Sequence, residues 1–188
     1  MQDDCSKPDC EKKSKCNDPA NHIFTLDLTG IATNTPLKVR GFVRPFGQAT
    51  ASNDFSAITL IDVTNAPATL VVGWPSLEAA PFQLPFAADR VVVNLTNAGL
   101  HDVFRGGVDT PLSTSDTPTV LAINPARGLF VIGDNGTVEV YTRLSAYQAA
   151  LQAKQAAGRK ARSFVASGGT YFDATKTLTS SLMATALQ

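Results

Sequence analysis

Alternation of apolar and polar residues with a period of two dominates the chain after its first twenty residues. It is clearest at residues 24–29, FTLDLT, and it returns in short runs bounded by Gly, Pro and Asn. Such alternation is typical of β-strands with one buried face. We therefore predict strands at residues 24–29, 37–43, 55–63, 69–74, 90–95, 119–123, 129–132, 137–142 and 163–172.

Two of these runs are apolar on both faces. Residues 70–72 (LVV) and 91–93 (VVV) have no polar side to turn towards water, which favours central strands that are covered on two sides. The pair Asn135-Gly136 predicts a tight hairpin between the strands on either side of it, because these residues tolerate the positive φ angles of such turns.

Helix signals appear only near the C-terminus. Ser145 followed by Gln148 matches a capping box, and the Ala-, Gln- and Lys-rich run after it has high helix propensity, so we predict a helix over about residues 145–162. A short second helix is predicted within residues 173–188, with leucines on one face. The predicted fold class is mainly β: an antiparallel β-sandwich or barrel, jelly-roll-like, with a C-terminal helix.

The 188 residues are enough for one self-sufficient core. We expect a polar, cysteine-containing tail at residues 1–21 and a single β-rich domain at residues 22–188. The N-terminus has no hydrophobic segment of the kind found in secretory signals, so we expect synthesis in the cytoplasm without a signal peptide. No apolar run has the length of a membrane span.

The composition is unusual in one respect, which is a low content of charged residues. Charged residues make up 17% of the chain, below the roughly 25% that is typical of soluble domains. One interpretation is a subunit that hides part of its surface in an assembly. The other is that Thr, Ser, Asn and Gln solvate the surface instead. The formal net charge of +0 gives no general argument for binding nucleic acid or membranes.

The polar tail carries three cysteines followed by a histidine. Cys5, Cys10, Cys16 and His22 provide the four ligands that zinc takes in a tetrahedral site, so zinc is a candidate ligand of the tail, although no cofactor is predicted. The spacing lacks the short Cys-x-x-Cys knuckle of many zinc sites. Disulfide cross-links of the cysteines, within the tail or between subunits, are therefore the preferred interpretation, and free thiols are the third alternative.

Signatures of catalysis are missing from the sequence. It has two histidines, His22 and His101, and no nucleophile elbow, His-Glu-x-x-His motif or phosphate-binding glycine loop. We therefore predict a protein that is not an enzyme. The basic cluster at residues 154–162 has the charge to contact nucleic acid, but solvation of a helix end explains it better, and nucleic-acid binding is not predicted.

A long apolar segment, residues 75–88, separates two predicted strands. It contains Phe82, Leu84 and Phe86, and such side chains are costly to leave in water on a surface loop. Two interpretations stay open. The segment folds back as a lid over the core, or it makes a contact with another subunit, which would make Phe82, Leu84 and Phe86 subunit-contact residues.

Together these features favour a non-enzymatic structural subunit of a larger assembly, and within that class a virion protein such as a bacteriophage capsid, decoration or tail component. The expected partners are further copies of this chain or neighbouring assembly proteins, and the expected location is the assembled particle. Two alternatives stay open: an extracytoplasmic β-sandwich module that binds carbohydrate or a receptor, and a small zinc-binding regulatory or nucleic-acid-binding protein.

Overall fold

The computed structural model describes residues 29, 31–33, 35–43 and 55–188 of the chain. The chain divides into two units, Met1–Thr33 and Asn34–Gln188, and every helix and strand described belongs to the second. Apart from Thr29, the strand predicted at residues 24–29 lies outside the described residues. The prediction of a separate tail likewise stays a prediction.

Within these residues the chain forms one helix and a succession of short strands, so the prediction of a mainly β protein with a helix towards its C-terminus is confirmed. The helix, α1, spans Leu144–Ala156. The strands are β1 Leu37–Val43, β2 Phe55–Asp62, β3 Ala68–Glu78, β4 Arg90–Val92, β5 Leu100–Arg105, β6 Val108–Pro111, β7 Thr119–Ala122, β8 Leu129–Asp134, β9 Thr137–Tyr141, β10 Ala161–Gly169, β11 Tyr171–Phe172, β12 Thr177–Ser180 and β13 Leu182–Leu187.

The strands form three sheets. β1 and β2 make a separate antiparallel hairpin, a seven-stranded sheet has the order β6-β5-β3-β10-β13-β8-β9, and a four-stranded sheet has the order β11-β12-β7-β4. Neighbours are antiparallel except for two parallel pairs, β13 with β8 and β12 with β7. One core cluster joins residues of both larger sheets and of α1, which is the packing of a β-sandwich.

The core lies against one face of the seven-stranded sheet, the inner face. Phe164 on β10 is fully buried, and its ring meets that of Phe82 edge to face at a centroid distance of 5.3 Å. The Phe82 ring also packs edge to face on Trp74 of β3, at 6.4 Å. Such aromatic pairs contribute about 0.5–1.5 kcal/mol each beyond the area that they bury, so this cluster anchors the segment between β3 and β4 to the inner face.

Helix α1 covers another part of the inner face. The Tyr147 ring lies 5.7 Å from that of Phe130 on β8, and its hydroxyl forms a 2.6 Å hydrogen bond with Oγ1 of Thr185 on β13. Burial raises the pKa of the Tyr147 hydroxyl. The phenol therefore keeps its proton, and the bond satisfies two buried polar groups at once.

The tight hairpin predicted at Asn135-Gly136 is confirmed. It joins β8 to β9, with φ angles of 46° at Asn135 and 87° at Gly136. Both angles lie in the left-handed region, which Asn and Gly adopt at the lowest cost. Asp134 and Thr137 pair directly across the turn, and this pairing fixes the register of the two strands.

The second helix predicted within residues 173–188 is wrong. The segment forms β12 and β13, and burial alternates with a period of two from Leu182 to Leu187. Leu178 and Leu182 have helical spacing, but the Thr residues around them favour a strand. Because β13 pairs with β10 on one side and with β8 on the other, tertiary pairing overrides the local helix pattern.

The start and the end of α1 also differ from the prediction. The helix begins after Arg143, whose side chain makes no cap, so the capping box of Ser145 and Gln148 is wrong. The Gln148 side-chain amide instead donates to two backbone carbonyl oxygens beside β4, at 2.8 and 2.9 Å. The helix ends before Gly158, whose φ of 86° turns the chain, and most of the basic residues predicted at its end lie in that turn and in β10.

Candidate interaction surface

The seven-stranded sheet has a second face, the outer face, that points away from the core. Burial alternates along its strands, so the residues between the buried ones point outward. Side chains that are directly paired across strands stand about 4.5–5.5 Å apart at Cβ. The register brings five outward residues into one row across β3, β10, β13, β8 and β9: Val71, Val165, Ala184, Val131 and Val140.

Two further rows complete the outer face, and none of its residues carries a charge. Charged side chains begin at its borders, with Asp102 on β5 and Arg162 in the bulge of β10. One flanking row is Thr69, Ser167, Leu182 and Leu129, and the other is Gly73, Ser163, Ala186, Gly133 and Val138.

Large side chains of the outer face are exposed. The exposed fraction is 69% for Val138, 60% for Val140 and 43% for Leu129. Five strands spaced about 4.8 Å apart, each about 20 Å long, give the face an area of roughly 500 Å². Monomeric proteins rarely expose contiguous apolar patches larger than a few hundred Å². The outer face is therefore a wide uncharged surface whose exposed apolar side chains are concentrated at its β8–β9 end.

The β1–β2 hairpin, called the arm here, exposes a second set of apolar side chains. Its strands pair along their whole length, with a bulge between Arg40 and Gly41. A two-stranded hairpin is marginally stable by itself in water, and the arm pairs with no further strand among the described residues. Among the described side chains of the arm, the large apolar ones that are exposed are Val39 at 44%, Phe42 at 70%, Ile58 at 67% and Ile61 at 37%.

The base of the arm is held beside the β5–β6 turn. The amide N–H of Val63 donates to the carbonyl oxygen of Pro36 at 3.1 Å and closes the hairpin. The Lys38 ammonium donates to the carbonyl oxygen of Gly106, also at 3.1 Å. Gly106 has a φ of 53°, and a Cβ there would stand 2.6 Å from the buried Val63 side chain. The close approach therefore requires a glycine, and it fixes the base while the rest of the arm stays exposed.

The three candidate subunit-contact residues of the segment 75–88 lie in different surroundings. Phe82 is 4% exposed and forms a backbone bridge with Val93, and Phe86 packs against the core. Phe82 is thus a core residue, as expected if the segment folds back over the core. Leu84 is 52% exposed. A subunit contact through this segment stays a prediction, and Leu84 is the side chain that is free to make it.

A buried cation bridges the two larger sheets. Arg105 is 2% exposed, and its guanidinium donates to both carboxylate oxygens of Asp173 at 2.7 and 3.1 Å. It also stands 5.5 Å from the centre of the Tyr171 ring. Burial, and then the negative charges of Asp173 and Asp116, raise the pKa of the Tyr171 hydroxyl. Tyr171 is thus a neutral phenol beside the bidentate ion pair of Arg105 and Asp173, which joins the two sheets.

The basic cluster after α1 is partly neutralised by the β8–β9 hairpin. The Lys154 ammonium lies 3.1 Å from a carboxylate oxygen of Asp134 and 2.9 Å from one of Glu139, and Arg159 lies 3.3 Å from Asp134. Hydrogen bonds from Tyr141 and Lys154 hold the pKa of Glu139 below its usual value. These ion pairs tie the helix to the hairpin, so Lys154 and Arg159 serve this contact.

The candidate zinc or disulfide residues Cys5, Cys10, Cys16 and His22 lie outside the described residues, so both hypotheses stay predictions. In the part of the chain that the structure describes, no three His, Cys, Asp or Glu side chains are grouped to hold a metal ion. Over the same residues, no helix is long and apolar enough to cross a membrane.

The sequence pattern does not predict the outer face or the exposed apolar side chains of the arm, although one stretch of sequence bears on the outer face. Residues 70–72 are apolar on both sides and predict a strand that is covered twice. The structure supplies a cover for Leu70 and Val72, and Val71 points outward without one from any described residue. A strand that is apolar on both sides in the sequence, but covered on one side in the structure, therefore indicates an uncovered apolar face.

The chain matches no protein-family model, no curated protein and no solved structure. Its function is therefore inferred from its own surfaces. Among the described residues, the outer face combines exposed apolar side chains with an absence of charge, and the arm exposes apolar side chains beside Lys38 and Arg40.

Proposed function

We propose that this chain is a non-enzymatic structural subunit of a larger protein assembly, and that the outer face is a contact surface between subunits. The outer face is the observation that carries the proposal. Five neighbouring strands present uncharged side chains outward, and the large ones at its end are 43–69% exposed. Covering apolar surface contributes about 25 cal/mol per Å², so a face of this size favours association.

The composition supports the same proposal. Charged residues make up 17% of the chain and the formal net charge is +0, so like copies do not repel each other. As the setting we propose a virion, with the chain as a bacteriophage capsid, decoration or tail component. Cysteines of the tail would then cross-link neighbouring subunits once the particle meets an oxidising exterior.

The test is the solution mass of the full chain, measured by light scattering over a range of protein concentrations with and without reductant. We expect a mass that is a multiple of the 19.8 kDa chain. A loss of mass on adding reductant would show that disulfides strengthen the contact. A single-chain mass at every concentration, with and without reductant, contradicts self-assembly.

Two lysines on the outer face test the surface itself. Leu129→Lys and Val140→Lys, made together, keep their charges in water in the free subunit, because both positions are exposed. In a contact the same charges would be desolvated without partners, so we expect a single-chain mass with an unchanged circular dichroism spectrum. The matched control is Ile123→Lys, at a position that is 58% exposed and lies off the outer face. Normal assembly of the double variant contradicts the outer face as the contact.

A further inference from the structure

We infer that the outer face of one copy is covered by the arm of a second copy of the same chain. This inference rests on the proposed function and names the partner of the surface that it identifies. The contact joins two different patches, the arm on one subunit and the outer face on the other. Depending on the rotation between subunits, such a contact closes into a pair or a ring, or continues into a larger array.

The arm and the outer face both leave large apolar side chains exposed. The arm exposes Phe42 at 70% and Ile58 at 67%, while the outer face exposes Val138 at 69% and Val140 at 60%. Each surface exposes apolar side chains without a cover from the described residues of its own chain, and on the arm the register places Phe42 on the side that also carries Lys38 and Arg40. A two-stranded hairpin gains stability from a third strand or from packing on a sheet, and the outer face is a sheet without a covering layer.

The dimensions of the two surfaces agree. The arm has strands of seven and eight residues, which gives it a length of about 25 Å and a width of about 10 Å. The five strands of the outer face span about 24 Å. A sheet packs on another sheet at a separation of about 10 Å, so one arm laid on the outer face covers roughly half of it.

One border of the outer face, on β5 and β6, is acidic, whereas Arg162 stands at another border in the bulge of β10, so a basic side chain of the arm is attracted to the first border and repelled from the second. The arm carries Lys38 and Arg40 on β1, and Arg40 is exposed. Asp102 and Asp109 point outward from β5 and β6 at one border of the outer face. Opposite charges at the rim of an apolar contact steer the approach and fix the orientation of the partners. The pairing of Arg40 with Asp102 or Asp109 would set the direction of the arm.

The arm does not cover the outer face of its own chain. The Lys38 contact with Gly106 holds the base of the arm beside the β5–β6 turn, at the opposite edge of the seven-stranded sheet from β9. With this base fixed, Phe42 and Ile58 remain exposed in the single chain, and so do the valines of β9. The outer face is therefore left for another copy.

The first experiment changes the arm of the full chain. Phe42→Ser with Ile58→Ser removes two apolar side chains of the arm that are 70% and 67% exposed, and we expect the solution mass to fall from that of the assembly to that of one chain. The matched control is Phe172→Ser with Ile123→Ser, which changes the same residue types at positions that are 52% and 58% exposed but lie off both surfaces. The control should assemble like the unchanged protein.

The second experiment mixes two single-chain variants. The arm variant keeps an intact outer face, and the outer-face variant, Leu129→Lys with Val140→Lys, keeps an intact arm. An equimolar mixture therefore restores one arm-to-face contact, and we expect a heterodimer with twice the 19.8 kDa mass of the chain. Neither variant alone should form this species, and native mass spectrometry of one isotope-labelled variant identifies its composition.

The outcomes separate this inference from the function on which it rests. If the unchanged protein is a single chain at every concentration, self-assembly and the arm contact are both wrong. If the arm variant assembles like the unchanged protein while the outer-face variant does not, the outer face is a contact surface but the arm does not cover it. If both variants are single chains and their mixture forms no heterodimer, the arm-to-face contact is also wrong.

Discussion

The two faces of the seven-stranded sheet are built from the same kinds of residue, yet only one of them is covered. On β3, Leu70 and Val72 point inward and are fully buried, whereas Val71 between them points outward and is half-buried. The inner face is covered by the four-stranded sheet, by α1 and by the segment 75–88. The outer face has no cover among the described residues. A strand that is apolar on both sides therefore predicts two covers, but it does not say whether both come from its own chain.

The two faces thus contribute to different equilibria. Burial on the inner face stabilises the single folded chain, because the covering elements belong to that chain. Burial on the outer face would stabilise the assembly, and it would raise the apparent stability of the fold only when a partner is bound. Substitutions on the two faces should therefore affect different measurements: the free energy of unfolding for the inner face and the solution mass for the outer face.

We expect the largest effect from a change that removes the cover of the inner face. Phe82→Ser deletes a ring that packs on Trp74 and Phe164, and it should lower the free energy of unfolding by about 3–5 kcal/mol. Leu84→Ser, two residues away at a position that is 52% exposed, should change it by less than about 0.5 kcal/mol. Urea unfolding of both variants measures the difference. Equal effects would mean that Phe82 is not part of the core.

A smaller effect compares the two faces at adjacent positions of one strand. Val72→Ala removes two buried methyl groups and should lower the free energy of unfolding by about 2 kcal/mol. Val71→Ala makes the same chemical change on the outer face and should cost less than about 1 kcal/mol. Both are best measured in the presence of Leu129→Lys and Val140→Lys, so that assembly does not contribute. If Val71→Ala lowers the free energy of unfolding as much as Val72→Ala does, the outer face has a cover within its own chain.

Where structure depends on local chemistry, the sequence predicts it well. The β8–β9 hairpin follows from Asn135-Gly136, because two adjacent residues set the turn. β5 and β6 were not predicted, because β5 (LHDVFR) places Arg105 on the inner face and this breaks the apolar alternation. Arg105 is buried at low cost only because Asp173, 68 residues later, accepts two hydrogen bonds from it. No local pattern contains that partner.

The candidate site was less predictable for a similar reason. The segment 75–88 reads as an exposed apolar loop, and the fold turns Phe82 inward through a bridge to Val93 and through ring contacts with residues far away in sequence. The outer face exists only once β3, β10, β13, β8 and β9 stand side by side. Strand order depends on long-range pairing, so a pattern read along the chain cannot assemble the rows of the outer face.

The smallest effect that we predict concerns a charged residue of β3. The outer face has no charged residue, whereas β3 ends in a buried carboxylate, Glu78, which is 8% exposed. Glu78 accepts hydrogen bonds from the Ala80 amide N–H at 2.8 Å and from the Asn97 side-chain amide at 2.6 Å. These bonds, that of Ala80 first, hold the pKa of Glu78 below its usual value of 4.5, although burial opposes them. The carboxylate therefore contributes stability that is present above the usual pKa and is lost as the pH falls through the lowered one.

We expect Glu78→Gln to remove about 1 kcal/mol of unfolding free energy at neutral pH, and this difference from the unchanged protein should disappear in acid. Urea unfolding of both proteins between about pH 7 and about pH 3 measures it. Asp62, Asp89 and Glu139 also have lowered pKa values, but they are present in both proteins and cancel in the difference. Asn97→Ala removes one of the two hydrogen bonds and should reduce the difference in part. A difference that stays constant down to the lowest pH would contradict a stabilising role for the charged form of Glu78.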